Sequence, residues 1–155
     1  MKALFICVAM TFIALALSDS LGDSDMAEQL PEWTRTKWAS LAHERTLELS
    51  TRMNPFVWGG DFDGDGRMDV ALFVRSIPSK KEGIAIIFRR EIDAVVIGAA
   101  TAFGNGGDDF SWLDTWTVVE AEDASVDRLH VAKRESASAL IIFRAGKPTW
   151  QQEGD

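Results

Sequence analysis

Short apolar segments separated by short polar turns fill the chain from residue 68 onward. Two of these turns are residues 79–83, Ser-Lys-Lys-Glu-Gly, and residues 145–147, Ala-Gly-Lys. Apolar runs rich in β-branched residues predict strands, and connections this short favour antiparallel neighbours, because a parallel crossover needs about a dozen residues or more. The predicted strands cover residues 68–75, 84–88, 94–97, 117–119, 129–131 and 140–143.

One amphipathic helix is predicted ahead of these strands. It begins in the turn that contains Pro31, whose fixed φ suits the first helical positions, and the Asn-Pro pair at residues 54–55 ends it. Glu48 and Arg52, four residues apart, are expected to pair along the same helix. The apolar stripe of the helix consists of Trp38, Leu41, Ala42 and Leu49.

Together these elements predict a single α+β domain over residues 31–155. The N-terminal helix is expected to pack on a mostly antiparallel sheet of about six strands. About 125 residues are enough to bury one hydrophobic core, and no composition shift marks a second boundary.

The first 18 residues have the composition of a signal peptide. Lys2 precedes an almost unbroken apolar run over residues 3–17, too short for a confident membrane span, and small residues up to Ser18 suit cleavage. Residues 19–30 are polar and acidic and predict a flexible leader. Cleavage would remove the single cysteine, Cys7, and leave no disulfide. We therefore expect a bacterial protein exported to the periplasm or the medium, with no membrane insertion after cleavage.

Acidic residues outnumber basic ones, with 24 Asp and Glu against 16 Lys and Arg and a net charge of −8. The basic pairs at residues 80–81, 89–90 and 133–134 are too scattered to form a basic stripe. An acidic surface repels phosphate backbones and anionic lipid, so nucleic acid is excluded as an expected partner.

Residues 61–69 read Asp-Phe-Asp-Gly-Asp-Gly-Arg-Met-Asp and place carboxylates at positions 1, 3, 5 and 9 of one loop. Carboxylates this close repel one another unless a cation lies among them, and calcium prefers oxygen ligands in this spacing. Gly66 permits the sharp turn that points the first three carboxylates inward. The candidate ligands are the side chains of Asp61, Asp63 and Asp65 and the carbonyl of Arg67. The alternative is a polar turn that binds no ion.

The residues around this loop decide its type. An EF-hand requires a glutamate at position 12, but Leu72 stands there, and extended segments flank the loop on both sides. Over residues 57–75 the chain resembles the calcium loop of FG-GAP and VCBS repeats, which implies that Asp69 is a further side-chain ligand. A propeller needs several copies and dockerins carry two in helical settings, whereas this chain has one. The expected ion is structural rather than catalytic.

Residues 99–116 mix glycine, acid and large aromatic side chains in one long segment. Phe110, Trp112 and Trp116 are candidates for a stacking face for a sugar ring or a peptide, with Asp108 and Asp109 as hydrogen-bond acceptors. In the alternative interpretation, the aromatic side chains fold back over the edge of the sheet. This second interpretation is the favoured one for the aromatic side chains, although long segments of this kind are often functional.

No catalytic constellation is apparent, because His43 and His130 accompany no nucleophile motif. The favoured function is a non-catalytic binding or interaction module for a glycan or protein ligand. One alternative is an enzyme acting on glycans or peptidoglycan, for which Glu120 and Glu122 are the candidate carboxylate pair. Another is an inhibitor of a secreted hydrolase, in which an acidic loop enters a cationic cleft.

Overall fold

The computed structural model describes residues 25–120 and 126–153. The expected signal peptide, residues 1–18, and the first part of the expected leader, residues 19–24, lie outside the described residues. The longest helix, α1, spans Glu32–Arg45. The strands are β1 Leu47–Leu49, β2 Val57–Gly60, β3 Asp69–Ser76, β4 Glu82–Ile87, β5 Val95–Gly98, β6 Thr115–Val119, β7 Arg128–Lys133, β8 Ala137–Arg144 and β9 Lys147–Glu153.

The strands form two sheets, and every strand pairing is antiparallel. The first sheet has the order β1-β3-β4-β5, and β2 also pairs with β3. Strands β1 and β2 follow one another along the same edge of β3, where Leu49 pairs with Val74 and Val57 with Leu72. The second sheet has the order β6-β7-β8-β9.

These observations confirm an α+β fold with antiparallel pairing. The expectation of a single sheet of about six strands was wrong, since the described residues form two sheets with nine strands.

Three layers result from the way β3 and β4 bury both faces. Val70, Leu72 and Val74 of β3 lie in one apolar cluster with Trp38 and Leu41 of α1. The alternate β3 residues Ala71 and Phe73 lie in a second cluster with Leu129, Val131 and Ile141 of the second sheet. Because successive strand residues point to opposite faces, the first sheet is packed between α1 and the second sheet.

Helix α1 begins after Pro31, as expected, but ends nine residues before the Asn-Pro pair at 54–55. Thr46 adopts a left-handed conformation with φ 53°, and the chain then turns into β1. Leu49 is therefore a buried strand residue rather than part of the helical stripe.

The expected pair of Glu48 with Arg52 is absent, and each has a different partner. Glu48 pairs with Arg75 of the neighbouring strand, where Nε and Oε1 are 2.6 Å apart. Arg52 pairs with Glu82 at the start of β4. Both partners are distant in sequence, because residues 47–49 pair with β3 instead of continuing α1.

Ordered packing also starts earlier than Pro31. Residues 25–28 are helical, and Leu30 is only 1% exposed within the cluster under α1. The end of the expected leader is therefore part of the packed domain, because the Leu30 side chain is buried in the core.

Candidate functional site

The acidic loop connects β2 to β3 at one end of the first sheet. Both flanking segments are strands that pair with each other, and Gly60 pairs with Asp69 directly across the loop. A hairpin therefore closes residues 61–68, as the extended flanks predicted. Gly64 and Gly66 adopt φ values of 76° and 79°, which favour glycine because it has no Cβ.

Three carboxylates converge inside this loop. Asp61, Asp63 and Asp65 each offer an oxygen within 4.8 Å of the others. Loop amides hold them in place: Asp61 accepts hydrogen bonds from the N–H groups of Gly64 and Gly66, each at 2.8 Å. Asp63 Oδ1 accepts from Asp65 N–H at 3.1 Å, and Asp65 Oδ1 accepts from Arg67 N–H at 2.8 Å. The carboxylates are thus positioned by the backbone, and their remaining lone pairs are available to a cation.

Asp69, the fourth expected carboxylate, has a different environment. It is fully buried, and it lies outside the group of three among the described residues. Its Oδ2 accepts a hydrogen bond from Phe62 N–H at 3.0 Å and its Oδ1 accepts one from Arg89 N–H at 2.8 Å. Burial raises the pKa of Asp69 to about 6, against the opposing effect of the Arg89 N–H, and the charge of Asp63 raises it further. Negative charge is therefore in excess around this carboxyl.

Two residues distant in sequence also contact the loop, and neither was predicted from the sequence to belong to this site. Arg90 Nε lies 2.6 Å from Asp63 Oδ2. Asp127, at the entry to β7, accepts a hydrogen bond from Asp61 N–H at 2.7 Å and donates its own N–H to the Asp61 carbonyl at 2.8 Å. Neither residue belongs to a motif, so only the folded chain brings them to the loop.

The segment between β5 and β6 does not present the expected stacking face. Phe110 is fully buried and Trp116 is 4% exposed, and both belong to the cluster between the two sheets. Trp116 Nε1 donates a hydrogen bond to the Pro55 carbonyl at 2.8 Å. Trp112 is half-buried, and its Nε1 donates to the Gly106 carbonyl at 3.1 Å. Of the three predicted aromatic residues, only Trp112 reaches the surface.

The two acidic residues of this segment have internal partners. Asp108 forms an ion pair with Lys81. Asp109 Oδ1 accepts hydrogen bonds from the N–H groups of Glu82 and Ser111, each at 3.0 Å. Burial acts to raise the pKa of Asp109, but these hydrogen bonds outweigh it, so the pKa lies below its ordinary value. Through these contacts, Asp108 and Asp109 attach the segment between β5 and β6 to the start of β4.

A smaller aromatic surface replaces the expected one. Trp150 of β9 lies against Trp112, with ring centroids 6.4 Å apart, and against Phe103, with centroids 6.0 Å apart. All three side chains are half-buried, and we call them the aromatic patch. Gly104 is required beneath it, because a Cβ there would lie 2.5 Å from the Cβ of Trp150. Trp150 had no motif around it and was not predicted.

The other candidate elements are only partly described. Glu120 is exposed after the end of β6, and Glu122 lies outside the described residues. Within residues 25–120 and 126–153, no helix has the length and apolar character needed to cross a membrane.

Comparisons of the chain with family models, with curated proteins and with solved structures found no match. The likeness of residues 57–75 to FG-GAP and VCBS loops therefore depends on the residues of the loop itself.

Proposed function

We propose that this protein is an exported domain that binds calcium in the loop of residues 61–69, and that the ion stabilises the fold. The observation that carries the proposal is the convergence of three carboxylates within 4.8 Å of one another on a hairpin between two paired strands. Calcium takes six to eight oxygen ligands at about 2.3–2.6 Å, and the Arg67 carbonyl and water would complete this set.

The charges of the site support a cation. Burial is the largest cause of the raised pKa of Asp69, and the charges of Asp63 and Asp65 raise it further. A cation among these carboxylates would reduce their mutual repulsion. An all-oxygen donor set of this kind suits a hard cation such as calcium rather than zinc or copper.

The position of the loop supports a structural role. Asp61 joins the loop to Asp127 through two hydrogen bonds, and Asp69 is the first residue of β3, in which every residue except Arg75 is buried. An ion among the loop carboxylates would hold the β2–β3 hairpin, and with it the junction of the two sheets, in one geometry. The resemblance of residues 57–75 to FG-GAP and VCBS calcium loops supports the same role.

Thermal unfolding with added calcium, and then with a chelator, tests the proposal. A ligand at a hundredfold excess over its Kd adds about 2.7 kcal/mol to stability, which for a domain of this size raises Tm by on the order of 10 °C. Asp65→Asn should reduce this rise, because Asp65 is the exposed member of the group and its loss removes one ligand charge.

Asp93→Asn is the matched control, since it removes one exposed carboxylate outside the loop. Its calcium-dependent rise in Tm should equal that of the wild type. If calcium leaves the Tm of the wild type unchanged, the loop is a polar turn and the proposal is wrong.

We further propose that the protein acts as a non-catalytic binding module in the periplasm or the medium, and that the aromatic patch is its binding surface. The observation in favour is that Phe103, Trp112 and Trp150 lie together, half-buried, with Trp150 packed against Gly104 and Gly106. Aromatic rings with one accessible side suit a sugar ring or an apolar peptide side chain. No observation favours the enzyme or the inhibitor alternative over this one.

Binding to a panel of oligosaccharides and soluble peptidoglycan fragments tests this second part. Trp112→Ala should abolish binding to any glycan that the wild type retains, while Trp33→Ala, which removes another half-buried tryptophan on α1, should not. Equal binding by the wild type and Trp112→Ala would exclude the aromatic patch as the site.

A further inference from the structure

Arg90 follows β4 and enters the acidic loop from outside it. Its Nε lies 2.6 Å from Asp63 Oδ2, and the Asp63 side chain is completely buried. Neither atom has a hydrogen-bond partner among the described residues. The contact is therefore an ion pair that does not have the geometry of a hydrogen bond.

Arg90 faces the less occupied oxygen of the Asp63 carboxylate. Asp63 Oδ1 accepts the Asp65 N–H and keeps one lone pair, whereas Oδ2 accepts no hydrogen bond within the described residues, so Oδ2 has the greater capacity to bind a metal ion. A calcium ion bound to Oδ2 at about 2.3–2.6 Å would meet a guanidinium group already in contact with the same oxygen. Two cations at this separation repel each other strongly in a partly buried site.

The segment that carries Arg90 is held at both neighbouring positions. Arg89 N–H donates to Asp69, and the Arg89 guanidinium lies 5.2 Å from the ring centroid of Trp33. Lys37 of α1 donates to the Arg90 carbonyl at 2.8 Å and pairs with Glu91. The backbone at residue 90 is thus fixed. Only the Arg90 side chain is able to move away from Asp63.

We infer that Arg90 is a built-in counter-ion of the acidic loop and that calcium displaces it from Asp63 on binding. The inference rests on the proposed calcium site and adds its regulation: the affinity for calcium is set by competition with a residue of the protein's own chain. The ion pair stabilises the loop without metal and weakens the binding of metal, because the two cations share one oxygen.

Calorimetric titration with calcium alone compares the wild type with Arg90→Gln. The variant should bind calcium about tenfold more tightly, within the roughly 5–150-fold range usual for coupling between two binding events. Arg134→Gln is the matched control, since Arg134 is an exposed arginine outside the acidic loop, between β7 and β8, and takes part in none of the described ion pairs. Its affinity should change less than threefold.

Thermal unfolding of the same proteins gives a second readout. In chelator, Arg90→Gln should have a lower Tm than the wild type, because the buried Asp63 loses its counter-charge. The rise in Tm with calcium should be larger in the variant. Equal or weaker calcium affinity in Arg90→Gln would overturn the inference. Arg90 would then either have no effect on calcium binding or strengthen it.

The wild type alone provides a test that needs no variant to fold. Displacement predicts that calcium speeds the exchange of the Arg90 Nε proton with water, as followed by NMR, while an unchanged proton signal at saturating calcium would overturn the inference. Failure of the calcium proposal has a different signature, because the wild type and every variant would then show no heat of calcium binding.

Discussion

Asp69 and Asp109 are the same residue type with opposite pKa shifts, and the difference comes from burial. Each accepts two backbone N–H hydrogen bonds, which favour the charged form. Asp69 is fully buried beside other carboxylates, so burial dominates and raises its pKa to about 6. Asp109 keeps access to water, and for it the hydrogen bonds outweigh burial.

Asp109 should make the stability of the protein depend on pH in the acid range. Because its folded-state pKa lies below the ordinary value of 3.8, the carboxylate contributes stability at higher pH. This contribution is lost as the pH falls from about 4 through the folded-state pKa. Urea unfolding of the wild type and Asp109→Asn between pH 2 and 6 should give converging free energies of unfolding toward acid. Parallel curves would show that Asp109 contributes nothing.

At the scale of elements, Arg52 is one of the residues that hold the segment between β5 and β6. Arg52 pairs with Glu82 and donates to the carbonyls of Leu113 at 2.7 Å and Phe110 at 3.2 Å. Its guanidinium also lies 5.1 Å from the ring centroid of Phe73. The Glu82 side chain is only 9% exposed, so Arg52 is the main compensation for a buried charge.

Arg52→Ala should therefore destabilise the protein by about 2–3 kcal/mol, because Glu82 Oε2 and the Leu113 carbonyl lose their donor and the Phe110 carbonyl loses one of its two. Arg75→Ala is the matched control: its pair with Glu48 is more exposed, and its loss should cost less than about 1 kcal/mol. Free energies of unfolding at neutral pH measure both. Similar losses for the two variants would contradict the anchoring role of Arg52.

Element prediction succeeded where local pattern decides the structure and failed where pairing does. Strands with continuous apolar runs, such as β3 and β4, were predicted within two residues of their observed ends. The helix was extended too far, because Leu49 fits a helical stripe and nothing local marks the pairing of β1 with β3. Strand β9 was missed because Lys-Pro-Thr-Trp-Gln-Gln-Glu is mostly polar and suits only an edge position.

The turn after β5 shows a second limit of local prediction. Ala99 and Ala100 both adopt positive φ, 48° and 73°, although alanine has no preference for this region. The turn is fixed by hydrogen bonds from Ala99 N–H to the Glu82 carbonyl at 2.7 Å and from Ala100 N–H to the Asp108 carbonyl at 2.8 Å. Tertiary contacts therefore override the backbone preference, and Phe110 and Trp116 are directed into the core rather than toward a ligand.

At the scale of the whole molecule, the number of sheets could not be read from the sequence. The mixture of buried and half-buried residues on β6 and β8 is compatible with one sheet or two, because either arrangement can bury one face of each strand. The apolar run of β3 is buried on both faces, and a layer lies on each side of it. The acidic loop was predictable from its spacing, whereas Arg90 and Asp127 reach it only through the packing of the two sheets.

The chain completes its first sheet before it begins the second, since β1 to β5 all precede β6 to β9. Residues up to 98 can therefore form their helix and sheet while the later part of the chain is still being synthesised. Until the second sheet arrives, the face that carries Phe73, Ile84 and Ile86 is exposed to water. Strands β6 to β9 thus cover an otherwise exposed apolar surface. Because these strands follow the first sheet in sequence, cutting the chain between β5 and β6 would separate this apolar face from its cover.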